Sequence, residues 1–135
     1  MGPIRIGTLA VAFLLASAPG AHAAGRVTFG VRYFAEGGSH QTYLVARVGG
    51  GLAGEAWLDA SEHDDRPVRS LTICHPRAGR ARVGALIRVP DGRLLHYRVP
   101  GEERCFQRQL GYRISRWQLS FGAELSGQVP PPPLV

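Results

Sequence analysis

The chain has 135 residues and a net charge of +6, from sixteen basic residues against ten acidic ones, and every basic residue is arginine. That length supports one hydrophobic core and is short for two. No segment reaches the ~20 apolar residues that a membrane-spanning helix needs.

Met1 and Arg5 open a positively charged stretch, followed by an apolar run over residues 6–16. Pro19 and Gly20 break it, and Ala21-His22-Ala23 places small residues where a signal peptidase reads. Residues 1–23 are therefore read as a signal peptide, which makes the protein secreted or periplasmic. No cysteine stands at the cleavage site, so no lipid anchor is expected.

Residues 24–126 are read as one β-rich domain, and residues 127–135 as a flexible, Pro-rich tail. Val27, Phe29, Val31 and Tyr33 alternate on one face of a strand over residues 26–34. A turn follows over residues 36–40, then a second strand over 41–48. Gly49-Gly50-Gly51 interrupts the pattern, and a third strand runs over 52–59. Residues 61–66 (SEHDDR) form a polar loop before a fourth strand over 68–74. Ala81, Val83, Ala85, Ile87 and Val89 alternate in a fifth strand. Pro90-Asp91-Gly92 is a strong turn signal, and residues 93–99 return as the other arm of a hairpin.

The stretch 102–121 carries two patterns. Phe106, Leu110, Ile114, Trp117 and Phe121 recur every three to four residues, as on a helix. Gly111 opposes one continuous helix, and Trp117, Leu119 and Phe121 alternate as in a strand. The expectation is a short irregular or helical piece over 102–109, then a strand over 112–121. Pro130 to Pro133 read as polyproline II. The fold class is mainly β: a small antiparallel sheet, sandwich or barrel with one disulfide and at most one short helix.

Cys74 and Cys105 are the only cysteines. Export to an oxidising compartment makes a disulfide the default, and a reactive or metal-binding thiol pair the alternative. Neither a GxSxG nor an HExxH pattern occurs, and Ser39 and His40, being adjacent, point to opposite faces of a strand. No catalytic residue, metal site or cofactor is therefore assigned, and the His63-Asp64-Asp65 loop is read as solvated. A small exported hydrolase is kept as a third reading, because catalytic triads are recognised by geometry rather than by sequence.

Charge is uneven along the chain. Residues 25–65 hold three arginines and six acids, while residues 66–135 hold twelve arginines and four acids. Arg82, Arg104, Arg108, Arg113 and Arg116 form a candidate basic face, interleaved with Phe106, Tyr112 and Trp117. Such interleaving suits nucleic acid. Export removes that partner, so an anionic envelope polymer takes its place. A solvated face over inward-pointing aromatics is the alternative.

The segment between the cysteines has further content. Residues 68–76 (VRSLTICHP) precede a polar loop, a strand over 83–89, the run Asp91-Gly92-Arg93-Leu94-Leu95-His96-Tyr97-Arg98, and Cys105. This is similar to the disulfide-closed region of the bacterial subtilisin-inhibitor family, over about residues 68–121. The resemblance implies an exported, non-enzymatic serine protease inhibitor whose partner is an extracellular or periplasmic protease. It makes His75, Pro76, Arg77, Ala78, Gly79 and Arg80 the binding loop. The family's primary specificity position falls on Pro76; a shift by one would put Arg77 into the pocket of a trypsin-like protease. The family usually has a second disulfide and a helix, which this sequence lacks.

Overall fold

Residue alternation dominates the outcome. The computed structural model describes residues 26–37, 39–63, 66–76 and 83–133, and among them it holds nine strands and no helix. The strands are β1 (Val27–Glu36), β2 (Ser39–Val48), β3 (Gly51–His63), β4 (Arg66–Cys74), β5 (Val83–Arg88), β6 (Leu94–Arg98), β7 (Cys105–Leu110), β8 (Arg116–Phe121) and β9 (Glu124–Leu125). The signal peptide assigned to residues 1–23 lies outside the described residues.

Two antiparallel sheets form, with orders β1-β2-β3-β4-β7 and β6-β5-β8-β9, and neither closes into a barrel. The first four strands make a meander. The chain then crosses for the β5–β6 hairpin, returns to lay β7 beside β4, and crosses again to lay β8 beside β5. The inward residues of both sheets share one core: Phe29, Leu44, Leu58, Leu71 and Ile73 against Val83, Ile87, Trp117 and Leu119. Burying each of these side chains contributes roughly 1.5–3 kcal/mol before entropy is charged against it.

Local chemistry explains the turns. Gly49 and Gly50 adopt φ of 58° and 89°, the pair of left-handed residues that a two-residue hairpin turn requires. At the β5–β6 turn, Asp91 accepts from the Arg93 backbone N–H at 2.9 Å, and Gly92 takes φ 96°.

Three expectations are corrected. The polar loop at 61–66 is mostly strand: Ser61, Glu62 and His63 pair with Val68, Pro67 and Arg66, leaving only positions 64 and 65 between β3 and β4. Backbone pairing is indifferent to side-chain polarity once the register is set by Leu58 and Leu71. The irregular or helical piece at 102–109 is instead β7, paired to β4 from Cys105 to Leu110. A four-residue spacing puts Phe106 and Leu110 on one face of a helix and equally on one face of a strand. The strand expected from residue 112 begins only at Arg116, because residues 111–115 carry the chain from one sheet to the other.

The Pro-rich segment also differs from expectation. Its residues 127–133 are docked rather than loose. Val129 is 2 % exposed and exchanges two backbone hydrogen bonds with Trp117, at 3.0 and 2.9 Å. Pro132 is buried too, and its carbonyl oxygen accepts from Arg69 Nη2 at 3.0 Å. A polyproline segment offers carbonyl acceptors with few N–H groups to satisfy, which suits it to covering the end of a sandwich.

Candidate functional site

Cys74 ends β4 and Cys105 begins β7, and the two stand directly opposite each other in the register. They form a disulfide with an S–S distance of 2.06 Å. One residue further on, the His75 N–H donates to the Arg104 carbonyl at 2.9 Å, so the ladder continues past the bridge. The chain leaving β4 is thus tied, covalently and by hydrogen bonding, to the chain entering β7.

The loop that the resemblance makes a binding loop would start at this root. Pro76 is exposed. His75 is not: it is 3 % exposed, which removes its side chain from any loop surface. Alternation accounts for this, since Cys74 points outward and His75 shares the inward face of Ile73. Arg77, Ala78, Gly79, Arg80 and Arg82 lie outside the described residues.

The basic residues from Arg104 to Arg116 fall into two places. β7 is the last strand of one sheet and β6 is the first of the other, and side chains of the two edges touch around Tyr97. There the Phe106 and Tyr97 rings stack with centroids 5.9 Å apart. The Arg108 guanidinium lies 5.6 Å from the centre of the Tyr97 ring, a cation–π position. The Tyr97 and Tyr112 hydroxyls share a 2.7 Å hydrogen bond. Burial, together with that bond, raises the Tyr112 pKa and keeps the phenol neutral. Alternation puts Arg104, Phe106 and Arg108 on the same side of the chain, and Arg104, Arg108 and Arg113 are all exposed.

Arg116 does not join this seam. It opposes Arg88 on the outer face of the second sheet, beside a shallow dimple lined by Leu86, Leu94 and Gln118. The crossing at residues 111–115 separates it from Arg113, its near neighbour in sequence. Among the described residues the one ion pair is Arg93 with Asp91, at 2.9 Å in the β5–β6 turn. The arginines of the seam face solvent with no carboxylate engaged among those residues. Glu102 and Glu103 are exposed in the turn before Arg104 and pair with neither it nor Arg108.

Two features were not legible in the sequence. Tyr97 is the centre of the seam, yet nothing near it in the sequence shows that β6 would face β7. His96 and Ser120 also meet, with Nε2 3.3 Å from Oγ, across the strand that carries Gly84. Burial and the nearby Arg98 lower the His96 pKa, so the ring is neutral near pH 7. No carboxylate accompanies this pair among the described residues, and it sits on an open sheet face rather than in a cleft. Ser39 and His40 do not meet; the Ser39 hydroxyl donates to the Glu36 carbonyl.

Family models, curated proteins and solved structures were each compared with the chain. None of them matches it. The side chains themselves are therefore the whole basis for a functional reading. Among the described residues no group of three His, Cys, Asp or Glu side chains converges as a metal site would require, and no helix is long and apolar enough to cross a membrane.

Proposed function

We propose that the protein is an exported, non-enzymatic binding domain that holds an anionic envelope polymer along the β6–β7 seam. The observation that carries this reading is the Arg108 guanidinium over the Tyr97–Phe106 stack, with Arg104 exposed on the same side of β7 and Arg113 exposed next to Tyr112, none of them paired with a described carboxylate. A guanidinium held over a ring gives up part of its freedom before a ligand arrives, so less entropy is lost on binding. Its fork of donors suits phosphate, sulfate or carboxylate groups. The disulfide supports an oxidising destination.

The test is retention of the purified mature protein on heparin and on dextran sulfate, with neutral dextran as control. Retention should persist at moderate salt, and the triple variant Arg104→Gln/Arg108→Gln/Arg113→Gln should elute much earlier. Elution of the wild type in dilute buffer, or equal retention of the triple variant, refutes the proposal.

A second reading is favoured by the bridge at the root of the loop. Cys74–Cys105 and the His75–Arg104 hydrogen bond hold the base of a segment whose first exposed residue is Pro76. A loop rooted in this way, as in the serine protease inhibitors it resembles, loses little conformational freedom on binding, so a modest interface can hold a protease tightly. Titration of trypsin and subtilisin with the mature protein tests it. Rapid cleavage after Arg77 with no inhibition removes this reading and leaves the first untouched.

A further inference from the structure

Among the described residues, no element packs on the outer face of the five-stranded sheet. The centre of that face is aromatic. Tyr43 on β2 and Trp57 on β3 are direct cross-strand partners, with ring centroids 5.3 Å apart and planes tilted by 38°. Both are partly exposed. Their chain neighbours Leu44 and Ala56 are fully inside, 1 % and 0 % exposed, which fixes the two rings outward.

Polar side chains around the rings are held in place. The Tyr43 hydroxyl donates to Glu55 Oε1 at 2.7 Å, and Gln41 Nε2 donates to Asp59 Oδ1. The register carries the aromatic row on to Thr72 of β4 and Gln107 of β7. A parallel row of Gln41, Asp59 and Ser70 lies beside it. Each step along these rows is one strand spacing, about 4.8 Å, close to the advance per ring of an extended polysaccharide.

The chemistry selects the ligand class. A sugar ring has an apolar C–H face and a rim of hydroxyls, so it stacks on the face of an aromatic ring flanked by carboxylate and amide groups. Charges around the pair balance, Arg32 and Arg47 against Glu55 and Asp59, so nothing here selects a polyanion. The centre of a protein–protein interface is apolar and depleted in charge; this face surrounds two rings with hydrogen-bonding groups.

We infer that the outer face of β2 and β3 binds an uncharged polysaccharide, its sugar rings stacked on Trp57 and Tyr43 and its hydroxyls on Gln41, Asp59 and Glu55. The site is separate from the β6–β7 seam and does not rest on the reading given to that seam.

The test is co-sedimentation of the purified mature protein with insoluble cellulose, chitin and starch, followed by titration with soluble hexamers of the polymer that binds. Trp117 is 1 % exposed, so a change in tryptophan emission on titration reports Trp57. Binding should be unchanged between about 0.1 M and about 1 M salt. Trp57→Ala should weaken it about tenfold or more, and Trp57→Phe only a few-fold. The seam variant lacking Arg104, Arg108 and Arg113 should bind the glycan as the wild type does, so the two sites fail independently. Thermal melting confirms that each variant folds; should Trp57→Ala not fold, Tyr43→Ala and Asp59→Ala read the same loss. The proposal is overturned if none of the three polymers binds, or if folded Trp57→Ala binds as tightly as the wild type. It is also overturned if Trp57 proves buried in a concentration-dependent dimer of the protein.

Discussion

Arg69 Nη2 donates to the carbonyl oxygen of Pro132 at 3.0 Å, across 63 residues of chain. The Arg69 side chain is 8 % exposed, and its Nε has no partner among the described residues. Burial lowers its pKa, which is the direction expected when a cation leaves water. A peptide carbonyl offsets only part of that desolvation, so the contact binds the C-terminal segment to the end of the sandwich at some cost to the arginine.

Removal of everything after Gly127 tests what that segment does. The truncation deletes the buried Val129, its two backbone bonds to Trp117, and the acceptor of Arg69. A loss of about 2–4 kcal/mol in urea unfolding is expected from one buried aliphatic side chain and the groups left unpaired. Trp117 should also become quenchable by acrylamide. Unchanged stability together with an unquenched Trp117 would show that the segment is a passive tail after all.

Reduction of the Cys74–Cys105 bridge makes a second test. The cysteines are 31 residues apart, and the chain-entropy model assigns a loop of that size about 3–4 kcal/mol. β7 is an edge strand with β4 as its only partner in the sheet. On reduction, amide exchange should therefore rise first over Cys105 to Leu110, while β2 and β3 in the middle of the sheet stay protected. Uniform acceleration across the protein would mean instead that the bridge secures the whole fold at once.

Gly54 and Val83 make a third test, this time of the packing between sheets. A Cβ built on Gly54 would lie 2.7 and 2.8 Å from the two methyl carbons of Val83. Gly54→Ala should therefore cost about 1–3 kcal/mol through overpacking. Val83→Ala alone leaves a void. The double variant restores the lost volume from the opposite side, so it should be more stable than the sum of the two single changes predicts. Additive behaviour would show that the two sheets are not in register at this point.

Much of this architecture is written in short-range patterns. The alternation from Val27 to Val31 and from Val83 to Val89 gives β1 and β5 directly, because both strands bury one face. Pro90-Asp91-Gly92 gives the β5–β6 turn through the chemistry of Asp91 and Gly92. β7 was obscured because Phe106 and Leu110 share a face in either periodicity, and only its pairing with Ile73 and Arg69 decides between them. The candidate sites divide in the same way. Local interleaving picked out Arg108 and Tyr112, but the stacking of Tyr97 on Phe106 depends on where β6 and β7 fall in two different sheets. Arg116 stands close to Arg113 in sequence, and the crossing between sheets parts them. The Tyr43–Trp57 pair spans two strands whose register is set by buried neighbours rather than by either aromatic residue.

His96 supplies a prediction of pH dependence. His96 is an exposed residue, but partial burial of its ring against the second sheet lowers its pKa below the ordinary value of 6.5, and Arg98 on the same strand lowers it further. From β5 and β8 the ring meets Gly84 and Ser120, neither of which is charged. The folded state therefore favours the neutral ring, and the unfolded chain takes up the proton first as pH falls. Stability from this group is intact above about pH 6.5 and is lost as pH drops through that value toward the lowered pKa of the folded protein. The chain holds other histidines, so the informative quantity is the difference from His96→Gln. Melting temperature measured between pH 7.5 and 5 should fall more steeply for the wild type than for that variant. NMR titration of the His96 ring should place its midpoint below that of a free histidine. A midpoint at or above the free value would mean that the ring turns outward to water, and that the Gly84 surface does not hold it against Ser120.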